Sequence, residues 1–317
     1  MAESVPLPQE TPIEPLPVGL SFDVEEHFRI ETAAHLDVAS ELKDIYARRM
    51  DETTSWILDR LGERGIRATF FVVGQIARSH PRLVRRMAEE GHEVGSHSWA
   101  HKRVHHFDPK HFGEDLRQSL DALAQASGQA VVGFRAPTFS VMRSTAWAID
   151  VLAEAGLMYD SSIFPVRHDR YGVPDAPRSA FVVRGTRAEL LELPPLTLRA
   201  LGQNLPVAGG GYFRLFPLAL MKRGIRQASR KKDFPAVLYF HPWEFDPQQP
   251  VLPLSRLARF RTYVGIDQAR RRLTRLLDEY RFTTLREIAE RVQLRRDQLP
   301  RFSLIADVNT VPNRTRN

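Results

Sequence analysis

Six ionisable residues have types and spacings that suit one reaction centre. Asp23 and Glu25 lie two apart in Phe22-Asp-Val-Glu-Glu-His-Phe28. In an extended strand, a period of two puts both carboxylates on one face and Val24 on the other. Carboxylates so placed repel unless a metal or an arginine sits between them. His97 and His101 are spaced i, i+4 in Gly95-Ser-His-Ser-Trp-Ala-His101. On a helical turn that spacing points both imidazoles the same way, as chelation of a divalent ion requires. Ser98 follows His97 where the HExxH metalloproteases have Glu, and His105 offers a competing pair with His101. His97 with His101 is the preferred pair, because His97 directly follows an expected strand. Arg135, in Gly133-Phe-Arg-Ala-Pro137, and His241, in Phe240-His-Pro-Trp-Glu244, each end a further apolar run.

Singly, each of these has an ordinary explanation: a charged strand end, a surface arginine, a core histidine. Jointly they deliver ionisable groups from four separate strand ends. In a parallel barrel those ends form one face, so the groups converge there. A carboxylate with two histidines and an open coordination position makes a hydrolytic metal site or a non-haem iron triad. The remaining Asp, Arg and His suit acid–base hydrolysis better than oxygen activation.

The elements that would position these groups alternate along the chain. Strands are expected at 18–23, 68–74, 93–96, 131–135, 157–161, 190–193 and 236–240, from short apolar runs rich in β-branched and aromatic residues. Helices are expected at 53–65, where Thr53 or Thr54 offers a cap, and at 81–90, 109–127, 144–155, 266–280 and 285–292. The alternation predicts an α/β fold, a distorted (β/α)7-type barrel with its active site at the C-terminal ends of the strands. Two polar or glycine-rich segments, about 164–180 and 199–215, interrupt it as loop insertions that include Ala208-Gly-Gly-Gly-Tyr-Phe-Arg214. The glycine run lacks a following Lys-Ser/Thr, so it is not a phosphate-cradling loop. A Pro-rich extended leader at 1–17, a catalytic domain at 18–292 and a basic, flexible tail at 293–317 complete the expected organisation.

The chain has 317 residues, 43% hydrophobic and 26% charged, enough for a sizeable core. With no cysteine, disulfide scaffolds, thiolate zinc sites, iron–sulfur clusters and cysteine nucleophiles are excluded. The net charge of +7 is concentrated: Arg291–Asn317 holds six Arg and two Asp, more than half of it. That argues against a nucleic-acid groove and for a solvated tail, with peripheral contact to an anionic membrane left open. No run of about 18 apolar residues forms a transmembrane segment. The first residues lack the basic and apolar regions of a signal peptide. The expected location is therefore cytoplasmic, with the inner face of the membrane as an alternative.

At these residues the sequence resembles the polysaccharide deacetylases of carbohydrate esterase family four, which share the NodB-homology domain of the chitooligosaccharide deacetylases. The motifs follow the family's order from about Val18 to Val292: the Phe22-Asp segment, Ala68-Thr-Phe-Phe-Val72, HSxxH, RxP, and an apolar strand ending in His241. Tyr159-Asp-Ser-Ser-Ile-Phe-Pro165, Arg167-His-Asp-Arg-Tyr-Gly172 and Phe240-His-Pro-Trp-Glu244 also look like the subgroup linked to exosortase and exopolysaccharide loci. The resemblance implies one divalent ion, zinc first, with cobalt, nickel or iron as alternatives. His97, His101 and a first-motif carboxylate would hold it. Val24 stands where the family has a second Asp, so Glu25 is the expected replacement ligand, with Glu26 and His27 as alternatives. Asp23 matches the catalytic base, Arg135 the residue that orients it and His241 the general acid. Thr138 would offer a backbone N–H to an oxyanion, and Asp160 or Asp169 would hold His241 protonated. Tyr171, Tyr212, Phe213 and Trp243 would offer faces to sugar rings.

The activity so implied is metal-dependent N-deacetylation of an acetamido-sugar polymer or its lipid-linked precursor, in exopolysaccharide biosynthesis. Its partner is an N-acetylated carbohydrate, not nucleic acid. Two rivals stand beside it: an allantoinase-like amidase acting on a small cyclic amide, and an inert carbohydrate-binding protein that lost activity through Val24.

Overall fold

The computed structural model describes residues 16–231 and 234–305. Twelve strands are found among them: β1 (Val18–Val24), β2 (Thr69–Val72), β3 (Glu93–Ser96), β4 (Gly133–Phe134), β5 (Tyr159–Asp160), β6 (Phe181–Arg184), β7 (Glu189–Glu192), β8 (Thr197–Ala200), β9 (Gln203–Pro206), β10 (Val237–Phe240), β11 (Phe282–Thr283) and β12 (Arg301–Ser303). The main sheet runs β10-β1-β2-β3-β4-β5-β7, every neighbouring pair parallel. Beyond β7 it continues antiparallel into β6, which pairs with β12. An isolated parallel bridge from Pro195 to Val237 brings the chain after β7 back to β10. The result is a distorted (β/α) barrel whose ladder is not closed by continuous hydrogen bonding.

β1 shows how the sequence sets the inside of the barrel. All seven of its residues are buried. Leu20, Phe22 and Val24 join the main hydrophobic cluster with Phe70, Val72, Leu238 and Phe240. Ser21 and Asp23 point to the other face, where both accept hydrogen bonds from Arg135. The period-two expectation for the first motif therefore holds. The helix Pro109–Ser127 has the expected ends: the Asp108 side chain accepts from the His111 N–H at 2.9 Å, and Gly128 closes it at φ +71°. Its buried stripe includes Phe112, Leu116 and Leu123.

Several expectations are corrected. The first helix spans Ser40–Gly62 and does not begin at Thr53. The Thr54 hydroxyl donates back to the Met50 carbonyl at 2.7 Å, the mid-helix pattern of a buried threonine and not a cap. Tyr46 and Met50 extend the apolar stripe through a segment whose exposed face is strongly charged, which hid it. The segment 199–215 is not loop throughout: it contains most of the β8–β9 hairpin and a short helix, Gly210–Leu215. The tail expected from residue 293 is folded as far as residue 305, because Leu299 and Leu304 are buried and carry β12 onto β6. Residues 1–15 of the leader and 306–317 of the tail lie outside the described residues.

At the N-terminal end of the barrel, away from the strand ends that carry the site, Glu93 ties the layers together. Its carboxyl accepts from the Thr69 hydroxyl at 2.5 Å, the Tyr159 hydroxyl at 2.9 Å and the Arg286 N–H at 2.8 Å. Burial pushes its pKa up, and these hydrogen bonds offset part of the rise. Glu93→Ala strands three donors in the interior. The expected cost is on the order of 3 kcal/mol, read as a lower urea midpoint.

Candidate active site

Five of the six expected groups stand at the C-terminal ends of barrel strands. Asp23 is the penultimate residue of β1. Glu25, His97, Arg135 and His241 each occupy the first position after β1, β3, β4 and β10. Parallel strands in register bring these positions to one rim, where a cleft of about 160 Å³ is lined by Asp23, Glu25, His97, His101, Thr138, Tyr171, Tyr239, His241 and Trp243, among others.

Arg135 lies beneath the cleft with no exposed surface. Its Nη1 donates to Asp23 Oδ1 and to the Ser21 hydroxyl, both at 2.7 Å. Nε donates to the Ser161 carbonyl at 3.1 Å and Nη2 to the Ser161 hydroxyl at 2.9 Å. The guanidinium also rests 4.4 Å from the centre of the Phe71 ring. Its planar fork thus fixes one oxygen of Asp23 and leaves Oδ2 toward the cleft, 3.9 Å from His241 Nε2.

Glu25, His97 and His101 form a group whose ligand atoms lie within 4.8 Å of one another. His97 Nδ1 is 2.7 Å from the Arg135 carbonyl, which can only accept, so Nδ1 carries the proton and Nε2 offers its lone pair. Burial holds the His97 pKa down at about 4, keeping the ring neutral at pH 7. Glu25 Oε1 accepts from the Trp243 indole N–H at 3.1 Å. Glu25 Oε2 is buried against His101 Nε2 without hydrogen-bond geometry to any donor. Burial raises the Glu25 pKa, but the imidazoles of His101, His241 and His97 outweigh it and hold the carboxyl well below the usual range. A buried, ionised, unpartnered oxygen beside two imidazole nitrogens fits a divalent cation, and these residues are the ones that would hold it.

The other first-motif candidates have partners elsewhere. Glu26 is spent on Arg29 at 2.5 Å. His27 Nε2 is hydrogen-bonded with the Tyr263 hydroxyl at 2.9 Å, and burial lowers its pKa to about 3. His105 stands apart, its ring 4.4 Å from that of His106. The structure brings His97 and His101 together, but not by helical spacing. Residues 97–101 form an irregular turn in which Ser98 and His101 adopt φ of +63° and +58°. The left-handed backbone, sparsely populated for such residues, is what turns His101 back toward Glu25.

His241 is held by Glu244, not by Asp160 or Asp169. Its Nδ1 lies 2.8 Å from Glu244 Oε1, which also accepts the His241 N–H at 3.0 Å. The other Glu244 oxygen takes Arg214 Nε at 2.7 Å, and Arg214 is itself anchored on the Thr262 and Val264 carbonyls. Burial alone would lower the His241 pKa; the Glu244 hydrogen bond and the charges of Glu25, Glu244 and Asp23 prevail and raise it to about 9. Asp169 lies beside His168, mostly exposed, and Asp160 is enclosed between β5 and β7 with Ser162 and Glu192.

Sequence reasoning missed Glu244 and Arg214. The i, i+3 spacing of His241 and Glu244 was the available signal. Arg214 carried none, because it depends on a close approach at Gly209, whose backbone bridges Tyr239. A Cβ at Gly209 would fall 1.6 Å from the Tyr239 carbonyl oxygen, so only glycine lets this segment bring Arg214 in. Thr138, at φ +55°, and Tyr171 line the cleft as expected. Trp243 is mostly buried, its indole stacked on His241 at 5.2 Å, so it braces the site more than it faces it. Tyr212 lies behind Tyr171 and contacts Phe216, outside the cleft lining, and Phe213 is core.

Residues 38–159 match a family model described as polysaccharide deacetylase, and residues 161–290 match one described as a domain of unknown function, DUF3473. A chitooligosaccharide deacetylase of Rhizobium leguminosarum bv. trifolii is 35% identical over 102 residues, 32% of this chain and 45% of its own length. A peptidoglycan-N-acetylglucosamine deacetylase of Bacillus cereus is 25% identical over 122 residues, 35% of this chain and 44% of its own. The chain thus spans less than half the length of these curated relatives. Among solved structures, a polysaccharide-deacetylase-like protein from Mycobacterium smegmatis superposes with a TM-score of 0.59 at 21% identity, covering 92% of this chain and 97% of that one. The Puue allantoinase superposes with a TM-score of 0.56 at 16% identity, covering 86% and 88%. At these identities the superpositions establish the fold. Among the described residues no helix is long and apolar enough to cross a membrane.

Proposed function

We propose that the chain, whose residues 38–159 match the polysaccharide deacetylase model, hydrolyses the N-acetyl amide of an acetamido sugar within a polymer or its lipid-linked precursor. The observation that carries this reading is the convergence of Asp23, Glu25, His97, His101 and His241 on one cleft, over a buried Arg135 that fixes Asp23. About 160 Å³ is below the ~300–1,000 Å³ of a pocket that encloses a whole small ligand. It suits a site that admits one substituent of a larger molecule lying across the mouth, with Tyr171 at its wall. The motif Tyr159-Asp-Ser-Ser-Ile-Phe-Pro165 supports exopolysaccharide biosynthesis as the setting. Residues 18–292 are taken as one catalytic unit, since Asp23 precedes both matched segments, His97 and Arg135 fall in the first and His241 in the second.

A divalent ion on Glu25, His97 and His101, zinc before cobalt, nickel or iron, would supply Lewis-acid polarisation of the acetyl carbonyl. The chain's own groups do the rest. Asp23, pinned through Oδ1, accepts at Oδ2 the proton of the attacking water. Thr138 offers its N–H to the oxygen that becomes negative. His241, with a pKa of about 9, is protonated at neutral pH and donates to the leaving amine; Glu244 keeps its Nδ1 occupied so that Nε2 faces the reaction. The rate then falls as pH rises through about 9. Glu244→Gln, which withdraws the charge that raises this pKa, moves that limb to lower pH.

The test is acetate release from N-acetylglucosamine oligomers, with metal content assayed on the same sample before and after chelation. Acetate that vanishes with the metal and returns with zinc is the expected result. His97→Ala is expected to empty the site, and full occupancy in that variant would reassign the ligands. A fully metallated protein that releases no acetate but opens a small cyclic amide would move the reading to the allantoinase type. Sugar binding without metal or turnover would move it to an inert binding protein.

A further inference from the structure

The reaction groups leave unused a second pair of carboxyls. Asp160 ends β5 and Glu192 ends β7, and the two are register partners in a parallel ladder. Neither has any exposed surface. Glu192 Oε1 accepts the Ile163 N–H at 3.0 Å, and Asp160 Oδ1 accepts the Ser162 hydroxyl. The other oxygen of each, Asp160 Oδ2 and Glu192 Oε2, is buried with no donor. Two orphaned carboxylate oxygens from paired strands are a costly arrangement if both groups are ionised, and a satisfied one if a single proton lies between them.

This pair closes a frame around Arg135. The strand ends it joins carry Ser161, whose carbonyl and hydroxyl both take Arg135 and whose hydroxyl donates to the Leu193 carbonyl at 2.7 Å. The Leu193 N–H donates to the Asp160 carbonyl at 2.9 Å. Ser162, bonded to Asp160, accepts the Ala136 N–H at 2.7 Å, fixing the residue after Arg135. The groups with charge near the pair are Arg135 on one side and, through it, Asp23. With one proton in the pair, Arg135 balances two negative charges; without it, three.

We propose that Asp160 and Glu192 share one proton in the folded protein, with Glu192 as the neutral donor, and that this acid pair is a positioning device for Arg135 and hence for the catalytic carboxylate Asp23. Two further facts agree. Burial pushes both carboxyls up, Asp160 to about 6 and Glu192 well above the usual range, with the Asp160 charge adding to the Glu192 rise. Each is also the other's hydrogen-bond partner once one is protonated. Since the raised group binds its proton more tightly folded than unfolded, its contribution to stability is present at low pH and is lost as pH rises through the folded value.

Glu192→Gln tests this directly, because an amide keeps the Ile163 acceptor and supplies a permanent donor to Asp160. The expected kcat stays within about threefold of the parent, while Glu192→Ala, which loosens the frame by a fraction of an ångström, loses on the order of tenfold to 10² in kcat with KM little changed. Glu192→Gln also flattens the alkaline fall of Tm with pH. Carbon-13 carboxyl titration of the parent is expected to show one of the two groups still protonated at pH 7. The kcat comparison rests on the deacetylase reading; the Tm profile and the titration do not, so a failed function and a failed pair are told apart. If Glu192→Ala does not fold, Glu192→Gln and the titration carry the test alone. Equal loss of kcat in both variants, an unchanged alkaline limb in Glu192→Gln, or two ionised carboxyls at pH 7 overturns the proposal.

Discussion

On the proposed deacetylase reading, Asp23→Asn is expected to lower acetate release by about 10²–10⁴, the range of a positioned general base, with metal binding unchanged. Two features separate Asp23 from the ligand group although it lies only two residues from Glu25. Its Oδ1 is bonded to Arg135 Nη1 at 2.7 Å. The clustered donors are Glu25, His97 and His101, without Asp23. An asparagine preserves shape and keeps an oxygen for Arg135, so the fold survives, but the amide cannot take a proton from water. Metal analysis and turnover on one preparation check both halves. Loss of the metal from Asp23→Asn would make Asp23 a ligand and reverse its role with Glu25.

That these two carboxylates share one face was readable from sequence because β1 is a regular strand, and a strand alternates whatever surrounds it. Val24 goes to the apolar cluster and its neighbours to the cleft side. The same regularity made β3, β10 and the helix Pro109–Ser127 legible, and with them the strand ends carrying His97 and His241. What failed to show in the sequence depends on irregular backbone or on chain segments far apart. His97 and His101 converge through left-handed residues at 98 and 101, which no periodic pattern encodes. Glu244 reaches His241 from a short turn after β10, and Arg214 arrives only because Gly209 lets two backbones touch. The pairing of Asp160 with Glu192 needs β5 and β7 to be neighbours, which depends on the order of strands and not on any local run. The strand β12 was hidden by charge: its segment counts as basic, yet two leucines decide where it goes.

Arg135→Met should be the most damaging change to the folded state. The methionine fills much of the volume over Phe71 but leaves Asp23, Ser21 and Ser161 without their shared donor. The Asp23 carboxylate then sits in the interior with only His241, 3.9 Å from its Oδ2, as a counter-charge. Removing one member of a buried ion pair costs about 3–5 kcal/mol, mainly for this reason. Arg135→Lys does not rescue it: one ammonium cannot reproduce a planar fork that serves three residues in three directions. The double variant Asp23→Asn with Arg135→Met is therefore expected to be more stable than Arg135→Met alone, since the stranded charge is gone. A urea-unfolding cycle over the four proteins measures this coupling, with an expected size of about 1–3 kcal/mol. Additive effects would mean that Arg135 stabilises the barrel through Ser161 and the strand β5 and not by compensating Asp23. Its hold on the base would then be a by-product of that bracing.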